Sequence, residues 1–459
     1  MPTTNSSAKQ TFRDPAGTLY REGGRVLRRV YAESAPSALA WLGSERAQEW
    51  ERSRRMAGTT VVTGNVGEAV LLEHEPVFFP SYPWEWTPGQ WVEAARLTLE
   101  LCDEALECGY ILKDATPLNI LFSDARPILV DVLSVERSEP CNPLWAAHAQ
   151  FVRTFLLPLS AYVHLGWPLA AVQQHRDGYE PDDLAPFLSV WQRIRAPFLL
   201  LVTIPRLLEK RTHGVGYRAS VSEEVSTFTL HRLLRKTRSQ LDTLVRPVKH
   251  SRWSRYTATM THYSSEDKQA KLDAVRNWLE ELHPQRVLDV GANTGDYSRL
   301  AASCGAQVVA WDSDQEAVEE NWRQAFREDL PILALVANFA WPQPSTGWRN
   351  EEHLSLMERA RGQFDCVLML GLLHHLLVNE RLPLGAILCQ LAEITTYAAI
   401  VEWIPREDDQ FKDLCRGRDA LYSHLTEESF LEAATADFAV LGHQHLSNGR
   451  SLWLLGKRA

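Results

Sequence analysis

The sequence predicts an α/β protein whose second half is a wound domain built on a mostly parallel sheet. Three observations predict this fold. From Val287 onward short apolar runs alternate with helical patterns, a glycine-rich turn follows the first run, and a hairpin signal joins the last two runs. Alternating strands and helices require crossovers and therefore a parallel sheet, to which a terminal hairpin adds an antiparallel strand. An α+β region is predicted to precede this domain.

The glycine-rich turn is Gly291-Ala292-Asn293-Thr294-Gly295, directly after the apolar run that ends at Val290. The two glycines lack Cβ atoms and tolerate positive φ, so that a ligand can approach the backbone. Free amides at the start of the following helix favour negative groups. The turn has neither the lysine of a P-loop nor the G-x-G-x-x-G spacing of dinucleotide binders.

The remaining elements of this half follow in order along the chain. Further strands are predicted at Gln307–Trp311, Ile332–Val336, Phe364–Leu370, Ala398–Val401, Phe438–Leu446 and Arg450–Leu455. Helices are predicted from Tyr297 and over Asp314–Arg327, Leu384–Glu393 and Lys268–Leu282, with Asp314 as an N-cap. The nearly continuous apolar run at Phe364–Leu370 is typical of a strand buried on both faces.

Polar residues stand where these strands end. They are Asp289, Asp312, Asn338, the pair His374-His375, and Glu402. Ligands of such sheets bind beyond the carboxyl ends of the strands, which predicts a binding site there. Asp312 can accept hydrogen bonds from two ribose hydroxyls, and Asn338 can bind an adenine edge through its amide. Asp289 can orient the loop or receive an ammonium group.

Four segments carry a resemblance to a known family. The run Asp289–Gly295 resembles the first motif of class I S-adenosylmethionine (SAM) methyltransferases. The segments Ala337–Trp348, Leu370–Leu376 and Ile400–Asp408 resemble successive motifs of one bacterial group of these enzymes, which is similar to nodulation-type methyltransferases. The resemblance covers most of the chain, including its first half. It implies a Rossmann-like class I methyltransferase domain with SAM as its cofactor, and no metal.

The resemblance and the strand ends together give a set of cofactor-binding candidates. They lie in the glycine turn and directly after the next three strands: Asp289, Gly291, Ala292, Asn293, Gly295, Asp312, Ser313, Asn338, Phe339 and Leu370.

Candidate catalytic residues follow the fourth strand and precede the first. A neutral imidazole of His374 or His375 could take a proton from an O–H or N–H nucleophile, although one of the two could instead pack against the sheet. In-line methyl transfer can also proceed by positioning without a base. Glu402 could bind an amine or hydroxyl of the acceptor, or brace a histidine. Tyr256 and Tyr263 could close the acceptor pocket, or belong to a segment packed on the sheet edge.

The first half resembles kinase-like phosphotransferases. Its D-x-x-x-x-N spacing, from Asp114 to Asn119, and the later Asp131 resemble a catalytic loop and a metal-binding aspartate. In that fold Asp114 would be the base, while Asn119 and Asp131 would hold magnesium.

This half also departs from the kinase pattern. Lys113 and Leu112 replace the usual residues before the aspartate, and Val132-Leu133 stands where Phe-Gly is common. No convincing glycine-rich phosphate loop occurs in Thr18–Leu72. We interpret the region as a kinase-like α+β domain that is not catalytic.

Length and composition set the domain organisation and the class of partner. The 459 residues predict two or three domains: a poorly ordered N-terminus (1–17), the kinase-like domain (18–205), a helical linker (206–252) and the methyltransferase domain (253–459). A net charge of −10 argues against nucleic-acid binding. Seven cysteines without a C-x-x-C pair, and the lack of a signal peptide or membrane span, predict a cytoplasmic protein. The expected partner is a small-molecule substrate, and a carrier protein is a weaker alternative.

These observations predict methyl transfer from SAM to a small-molecule acceptor, in bacterial specialised metabolism. Two alternatives remain open. SAM could itself be the substrate, as in cyclisation or aminocarboxypropyl chemistry that releases methylthioadenosine. The chain could also be a SAM-binding scaffold or a pseudokinase-type interaction protein.

Overall fold

The chain forms two compact units. A computed structural model describes residues 13–63, 68–209, 221–245 and 265–458. The first unit comprises Met1–Ser123 and Pro127–Pro247, and the second comprises Asp124–Arg126 and Val248–Ala459.

The first unit begins with an antiparallel sheet. Its four strands, in the order β1-β2-β4-β3, are β1 (Gly17–Glu22), β2 (Arg25–Val30), β3 (Thr59–Thr63) and β4 (Val70–His74). Helices α1 (Ala35–Leu42) and α2 (Glu45–Arg52) connect β2 to β3.

A long helix and short strand pairs follow in the same unit. Helix α3 (Pro88–Glu107) starts at the capping box formed by Thr87 and Gln90, and it buries most of one side. Four short strands come next, with β5 paired to β8 and β6 to β7. They are β5 (Tyr110–Leu112), β6 (Ile120–Ser123), β7 (Arg126–Leu129) and β8 (Val135–Arg137).

The rest of the first unit is helical. Its α-helices are α4 (His148–Phe151), α5 (Leu157–Leu165), α6 (Pro181–Leu184), α7 (Val190–Arg193), α8 (Ile204–Glu209) and α9 (Glu223–Thr243). Short 3-10 or π segments accompany them at Val152–Leu156, Leu169–Gln174, Ala185–Phe187 and Leu199–Thr203.

The second unit is built on a mixed sheet. Its strands are β9 (Arg286–Val290), β10 (Gln307–Asp312), β11 (Ile332–Val336), β12 (Phe364–Met369), β13 (Thr395–Trp403), β14 (Phe438–His445) and β15 (Ser451–Lys457). Within the described ranges the order is β11-β10-β9-β12-β13-β15-β14. The first five pair in parallel, whereas β15 is antiparallel to both β13 and β14. This is the predicted parallel sheet with an antiparallel terminal hairpin.

Helices precede the first strand of this sheet and connect the strands that follow. In chain order they are α10 (Ser265–Leu282), α11 (Asp296–Ser303), α12 (Gln315–Glu328), α13 (Leu356–Ala360), α14 (Leu373–Val378), α15 (Leu384–Ile394), α16 (Asp409–Cys415) and α17 (Glu427–Ala434). As predicted, the Asp314 side chain caps α12 by accepting a hydrogen bond of 2.8 Å from the amide of Ala317. None of the helices in the described ranges is both long and apolar enough to cross a lipid bilayer.

Helix α10 places two charged side chains on its buried face. Asp267, Lys271, Val275 and Leu279 recur every four residues and therefore share one side of the helix. All four are buried, and Val275 and Leu279 belong to the hydrophobic core of the unit. Lys271 therefore extends the buried face towards the end of the helix where the strands of the sheet terminate.

Candidate active site

A cavity of about 400 Å³ lies at the carboxyl ends of β9 to β12. This volume is within the range of small-molecule sites, roughly 300–1,000 Å³. Eight of the ten cofactor-binding candidates line it: Gly291, Ala292, Asn293, Asp312, Ser313, Asn338, Phe339 and Leu370. The other two, Asp289 and Gly295, do not line the cavity and act behind its wall.

The two glycines of the turn lie in different surroundings. Gly291 has φ +76° and lies in the cavity wall, where its amide donates a 2.8 Å hydrogen bond to the carbonyl of Trp311. Gly295 has φ +84°, and a Cβ there would come within 2.1 Å of Oδ1 of Asn321. Of the two glycines, only Gly291 lines the cavity, and the approach of a ligand to its backbone stays a prediction. At Gly295 the missing Cβ makes room for a side chain of α12.

Asp312 is fixed at the end of β10 by two backbone amides. Its Oδ2 accepts a hydrogen bond of 2.9 Å from Asn293, and its Oδ1 accepts one of 2.8 Å from Asp314. Each carboxylate oxygen has a second lone pair, so both can still accept a ligand hydroxyl. Burial raises the pKa of this carboxyl above its ordinary value.

Asn338 shapes the loop after β11. Its Oδ1 accepts hydrogen bonds of 2.8 Å from the amide of Ala340 and 3.1 Å from that of Trp341. The side-chain carbonyl is thus committed to the loop, and the NH₂ group is the part that can donate to a ligand. Phe339 beside it offers a flat apolar surface to the same cavity.

Asp289 supports the turn from below. Its side chain accepts a 2.6 Å hydrogen bond from the hydroxyl of Ser298 on α11, and only 2% of the residue is exposed. Burial raises the pKa of Asp289 to about 6. Of the two roles predicted for it, orienting the loop matches this position, because the carboxylate is not in the cavity wall.

The two histidines occupy different environments although they are adjacent on α14. His375 lines the cavity, and its Nδ1 lies 3.2 Å from Nδ2 of Asn379. His374 is 2% exposed, and neither of its ring nitrogens has a hydrogen-bond partner among the residues that the structure describes. Burial lowers the pKa of both rings, and for His375 Arg450 lowers it further. Only His375 is placed where an acceptor could reach it.

Glu402 lies in a buried network of charges. Its Oε2 is 2.7 Å from Nζ of Lys271, and its Oε1 is 3.7 Å from Nη1 of Arg450. Arg450 also donates a 2.8 Å hydrogen bond to Asp408 and a 2.9 Å hydrogen bond to Gln410. Glu402 is fully buried and does not line the cavity, whereas Lys271, Arg450 and Gln410 do. Glu402 therefore belongs to a buried network behind the cavity, and its predicted contact with an acceptor or a histidine stays a prediction.

Several residues that line the cavity are not among the site candidates predicted from the sequence. They are Lys271, Asp296, Tyr297, Asn379, Glu380, Gln410 and Arg450. For Lys271 there was a signal, since a lysine on the apolar face of an amphipathic helix is unusual. For Arg450 there was none, because the residue after a hairpin turn is ordinarily solvent-exposed. Tyr256 and Tyr263, the predicted pocket-closing residues, lie outside the described residues.

The kinase-like candidates lie in the first unit. Asp131 is paired with Nη1 of Arg28 from β2, and it also accepts a 3.2 Å hydrogen bond from the amide of Leu133. Burial, and next the charge of Asp131, raise the pKa of Asp114. The Nδ2 atom of Asn119 is buried without a hydrogen-bond partner among the described residues. In those same parts of the chain no group of three or more His, Cys, Asp or Glu side chains could hold a metal ion.

Comparison with known proteins finds a family match within the second unit. Residues 288–385, from the first strand of its sheet to the start of α15, match the family model described as "Methyltransferase domain". The chain carries a class I SAM-dependent methyltransferase domain. SAM is its cofactor.

The whole chain has a relative, and the methyltransferase domain has solved neighbours. Nodulation protein NoeA of Rhizobium meliloti (strain 1021) is 26% identical over 456 residues, covering 96% of this chain and 93% of that protein. N-methyltransferase NodS from Bradyrhizobium japonicum WM9 is 10% identical and covers 43% of this chain and 99% of its own, with a TM-score of 0.32. Magnesium protoporphyrin IX methyltransferase from Synechocystis PCC 6803, with bound SAH, is 18% identical and covers 42% of this chain and 84% of its own, with a TM-score of 0.33.

The residues present in the methyltransferase domain fit SAM. The cavity offers carboxylate acceptors at Asp312, amide donors at Asn338, and the backbone of Gly291 in its wall. These are the chemical partners that a ribose, an adenine and a methionyl chain require. When bound, SAM supplies an electrophilic methyl group on a sulfonium.

Proposed function

We propose that the methyltransferase domain transfers a methyl group from SAM to an O–H or N–H group of a small-molecule acceptor, in bacterial specialised metabolism. The observation that carries the proposal is the position of His375. Its ring is in the wall of the cavity, one turn of chain after Leu370 and Gly371, which line the same cavity. A lowered pKa keeps this imidazole neutral at physiological pH, as a proton acceptor must be.

The cofactor roles follow from what each residue has free. Asp312 would accept hydrogen bonds from both ribose hydroxyls, because each of its oxygens keeps a lone pair beside the amide it already binds. Asn338 and Phe339 would hold the adenine, by amide donation and by apolar contact. Gly291, Ala292 and Asn293 would lie along the methionyl chain. Asp289 and Gly295 would keep this turn in shape from outside the cavity.

His375 would act on the acceptor rather than on the cofactor. Proton removal by a positioned side chain contributes typically about 10²–10⁴-fold to a rate. His374 has no such access, since both of its ring nitrogens are buried. Lys271, Gln410 and Arg450 also line the cavity, and their polar groups suit an acceptor with hydrogen-bonding groups.

Product analysis tests the proposal. The full chain is incubated with SAM and fractionated bacterial metabolites, and the nucleoside product is identified by mass spectrometry. S-Adenosylhomocysteine together with a methylated metabolite is the expected result, and its yield should fall at least 100-fold in His375→Gln. Methylthioadenosine in place of S-adenosylhomocysteine would show that SAM is itself the substrate. Binding of SAM without formation of either product would indicate that the protein is a SAM-binding scaffold and not an enzyme.

The biological setting rests on the relative that spans the whole chain. Its name places that protein in nodulation, a specialised bacterial process. Deletion of the gene should therefore alter the methylation of one or a few secreted metabolites and leave growth in rich medium unchanged. A growth defect accompanied by unchanged secreted metabolites would contradict this setting.

We further propose that the first unit is a kinase-like domain without phosphotransfer activity. A four-stranded antiparallel sheet, a long helix and a loop bearing Asp114 and Asn119 support the likeness. The Arg28–Asp131 ion pair supports the lack of activity, because a guanidinium there competes with a divalent cation. Incubation with Mg²⁺ and γ-labelled ATP should give no transfer to the protein or to bacterial metabolites. Labelling that disappears in Asp114→Asn would contradict the proposal.

A further inference from the structure

A second cavity of about 430 Å³ lies on the methyltransferase unit. It is formed by the end of α14, the start of α15 and the segment from Arg418 to Leu425. Its floor is apolar: Leu377, Leu384 and Leu425 line it with exposures of 4%, 9% and 5%. At the rim Leu421 is 63% exposed.

The rim of this groove is cationic. Arg381, Arg418 and His424 line it, and no carboxylate does. Neither guanidinium has an ion-pair partner within the described ranges. The absence of acid is informative because acidic residues outnumber basic ones in the chain, 58 to 48. The groove therefore combines an apolar floor with two arginines that form no ion pair among the described residues.

The groove is adjacent to the cofactor cavity. Consecutive residues of α14 serve the two, since Leu376 lines the first cavity and Leu377 lines the second. The loop after the helix repeats the pattern, with Glu380 in the first cavity and Arg381 in the second. One stretch of chain therefore borders both cavities.

This stretch is held in place from the groove side. The hydroxyl of Tyr422, another lining residue, donates a 3.4 Å hydrogen bond to the carbonyl of Val378 at the last turn of α14. A molecule in the groove therefore touches the helix that carries His375.

We propose that this groove holds the acceptor of the methyl group, and that the acceptor is an amphiphile with an aliphatic part and a phosphate or carboxylate group. The inference rests on the proposed function and names its substrate class. The leucines would remove the aliphatic part from water. Arg381 and Arg418 would bind the anion by charge-assisted hydrogen bonds, close to the N-terminus of α15, where negative charge is also favoured. Binding energy from this remote part would hold the nucleophile in the first cavity.

The ligand is a free molecule rather than a lipid in a bilayer. The groove is a recess of defined volume, and two arginines make a site for one anion rather than the broad basic surface that anionic membranes attract. Vesicle binding is therefore a separate outcome of the experiment.

Decyl phosphate is the probe, used below its critical micelle concentration and titrated into the full chain by calorimetry. Decyl glucoside, with the same tail and no charge, is the ligand control. The double variant Arg381→Gln, Arg418→Gln removes the rim charge, and Arg361→Gln removes an exposed arginine of the same unit outside the groove. We expect decyl phosphate to bind at least 10-fold more tightly than decyl glucoside. The double variant should bind it at least 10-fold more weakly, while Arg361→Gln should match wild type.

A second measurement separates this inference from the proposed function. The double variant should bind S-adenosylhomocysteine as wild type does, yet show at least a 10-fold lower kcat/KM with the acceptor fraction. Unchanged affinity of the double variant for decyl phosphate would contradict the assignment of the groove but not the proposed methyl transfer. Binding of the protein to phosphatidylglycerol vesicles without binding of monomeric decyl phosphate would contradict the same assignment. Failure of wild type to bind S-adenosylhomocysteine would instead overturn the proposed function.

Discussion

The Nζ atom of Lys271 lies 2.7 Å from Oε2 of Glu402, and the two side chains are 8% and 0% exposed. They join α10 to the last parallel strand of the sheet beside the cofactor cavity. Arg450 faces the same carboxylate from the terminal hairpin, at 3.7 Å. Three elements that are distant in the sequence are therefore held together by one buried carboxylate.

Removing the charge of Glu402 should destabilise the methyltransferase unit strongly. Glu402→Gln leaves two buried cations facing an amide, and breaking a buried pair typically costs about 3–5 kcal/mol. Calorimetry should show the transition of this unit lowered by roughly 10 °C. Glu393→Gln is the matched control, since its partner Arg361 is exposed and the loss should stay below about 1 kcal/mol. Equal shifts in the two variants would mean that the network is not structural.

Gly295→Ala and Gly305→Ala separate backbone strain from a steric clash. Both glycines have positive φ, +84° and +94°, so both substitutions incur the strain of a left-handed conformation, about 1 kcal/mol. Around Gly305 nothing lies within 4 Å, whereas a Cβ at Gly295 would meet Asn321 at 2.1 Å. Gly295→Ala should therefore cost at least about 2 kcal/mol more in thermal unfolding. A similar loss in both variants would refute the packing role of Gly295.

The pH dependence of methyl transfer should report His375. Burial and Arg450 lower its pKa below the ordinary value, so the ring is neutral at pH 7 and gains a proton only in acid. The rate should therefore be flat with respect to this group above about pH 6.5 and fall as the pH decreases through the lowered pKa. His375→Gln should remove this acid limb along with most of the activity. In His374→Phe the fall in rate at acid pH should persist. Its loss in that variant would mean that His374, and not His375, is the base.

Asp289→Asn should stabilise the protein near neutral pH. Burial raises the pKa of this carboxyl from 3.8 to about 6, so the carboxyl ionises more readily in the unfolded chain than in the folded one. The wild-type protein therefore has its full stability with respect to this group below pH 3.8, and loses part of it as the pH rises through 6. Asparagine cannot ionise and can still accept the hydrogen bond from Ser298. We expect a gain on the order of 2 kcal/mol at pH 7.5, shrinking towards zero at pH 4, in urea unfolding at both pH values. A gain that does not depend on pH would contradict this explanation.

Much of the fold of the second unit could be predicted from the sequence. Buried strands appear as short apolar runs, and for Ile332–Val336 the predicted and observed bounds coincide. Caps are equally local, so Asp314 could be recognised from its position before a helical pattern. The carboxyl ends of parallel strands meet at one edge of the sheet, which brought Asp312 and Asn338 to one cavity.

The rest depends on directions in space that no local pattern encodes. Adjacent residues of a helix point about 100° apart. The sequence His374-His375 therefore does not determine which of the two rings faces the cavity. Lys271 and Glu402 are separated by 131 residues, and their pairing depends on how α10 lies on the sheet. Arg450 lies after a hairpin whose register decides that it is buried rather than exposed.

Titration of S-adenosylhomocysteine into the full chain tests the central claim most directly. The claim is that the cavity at the ends of β9 to β12 binds SAM with Asp312 on its ribose. Wild type should bind one molecule per chain, and Asp312→Asn should bind at least 10-fold more weakly because charged acceptors are lost. Asp365→Asn is the control: this aspartate also accepts hydrogen bonds from two backbone amides, those of Gln285 and Arg286, but it lies at the start of β12, away from the cavity. The affinity of Asp365→Asn for S-adenosylhomocysteine should equal that of wild type. Absence of binding in wild type, or equal affinity in wild type and Asp312→Asn, would contradict the account.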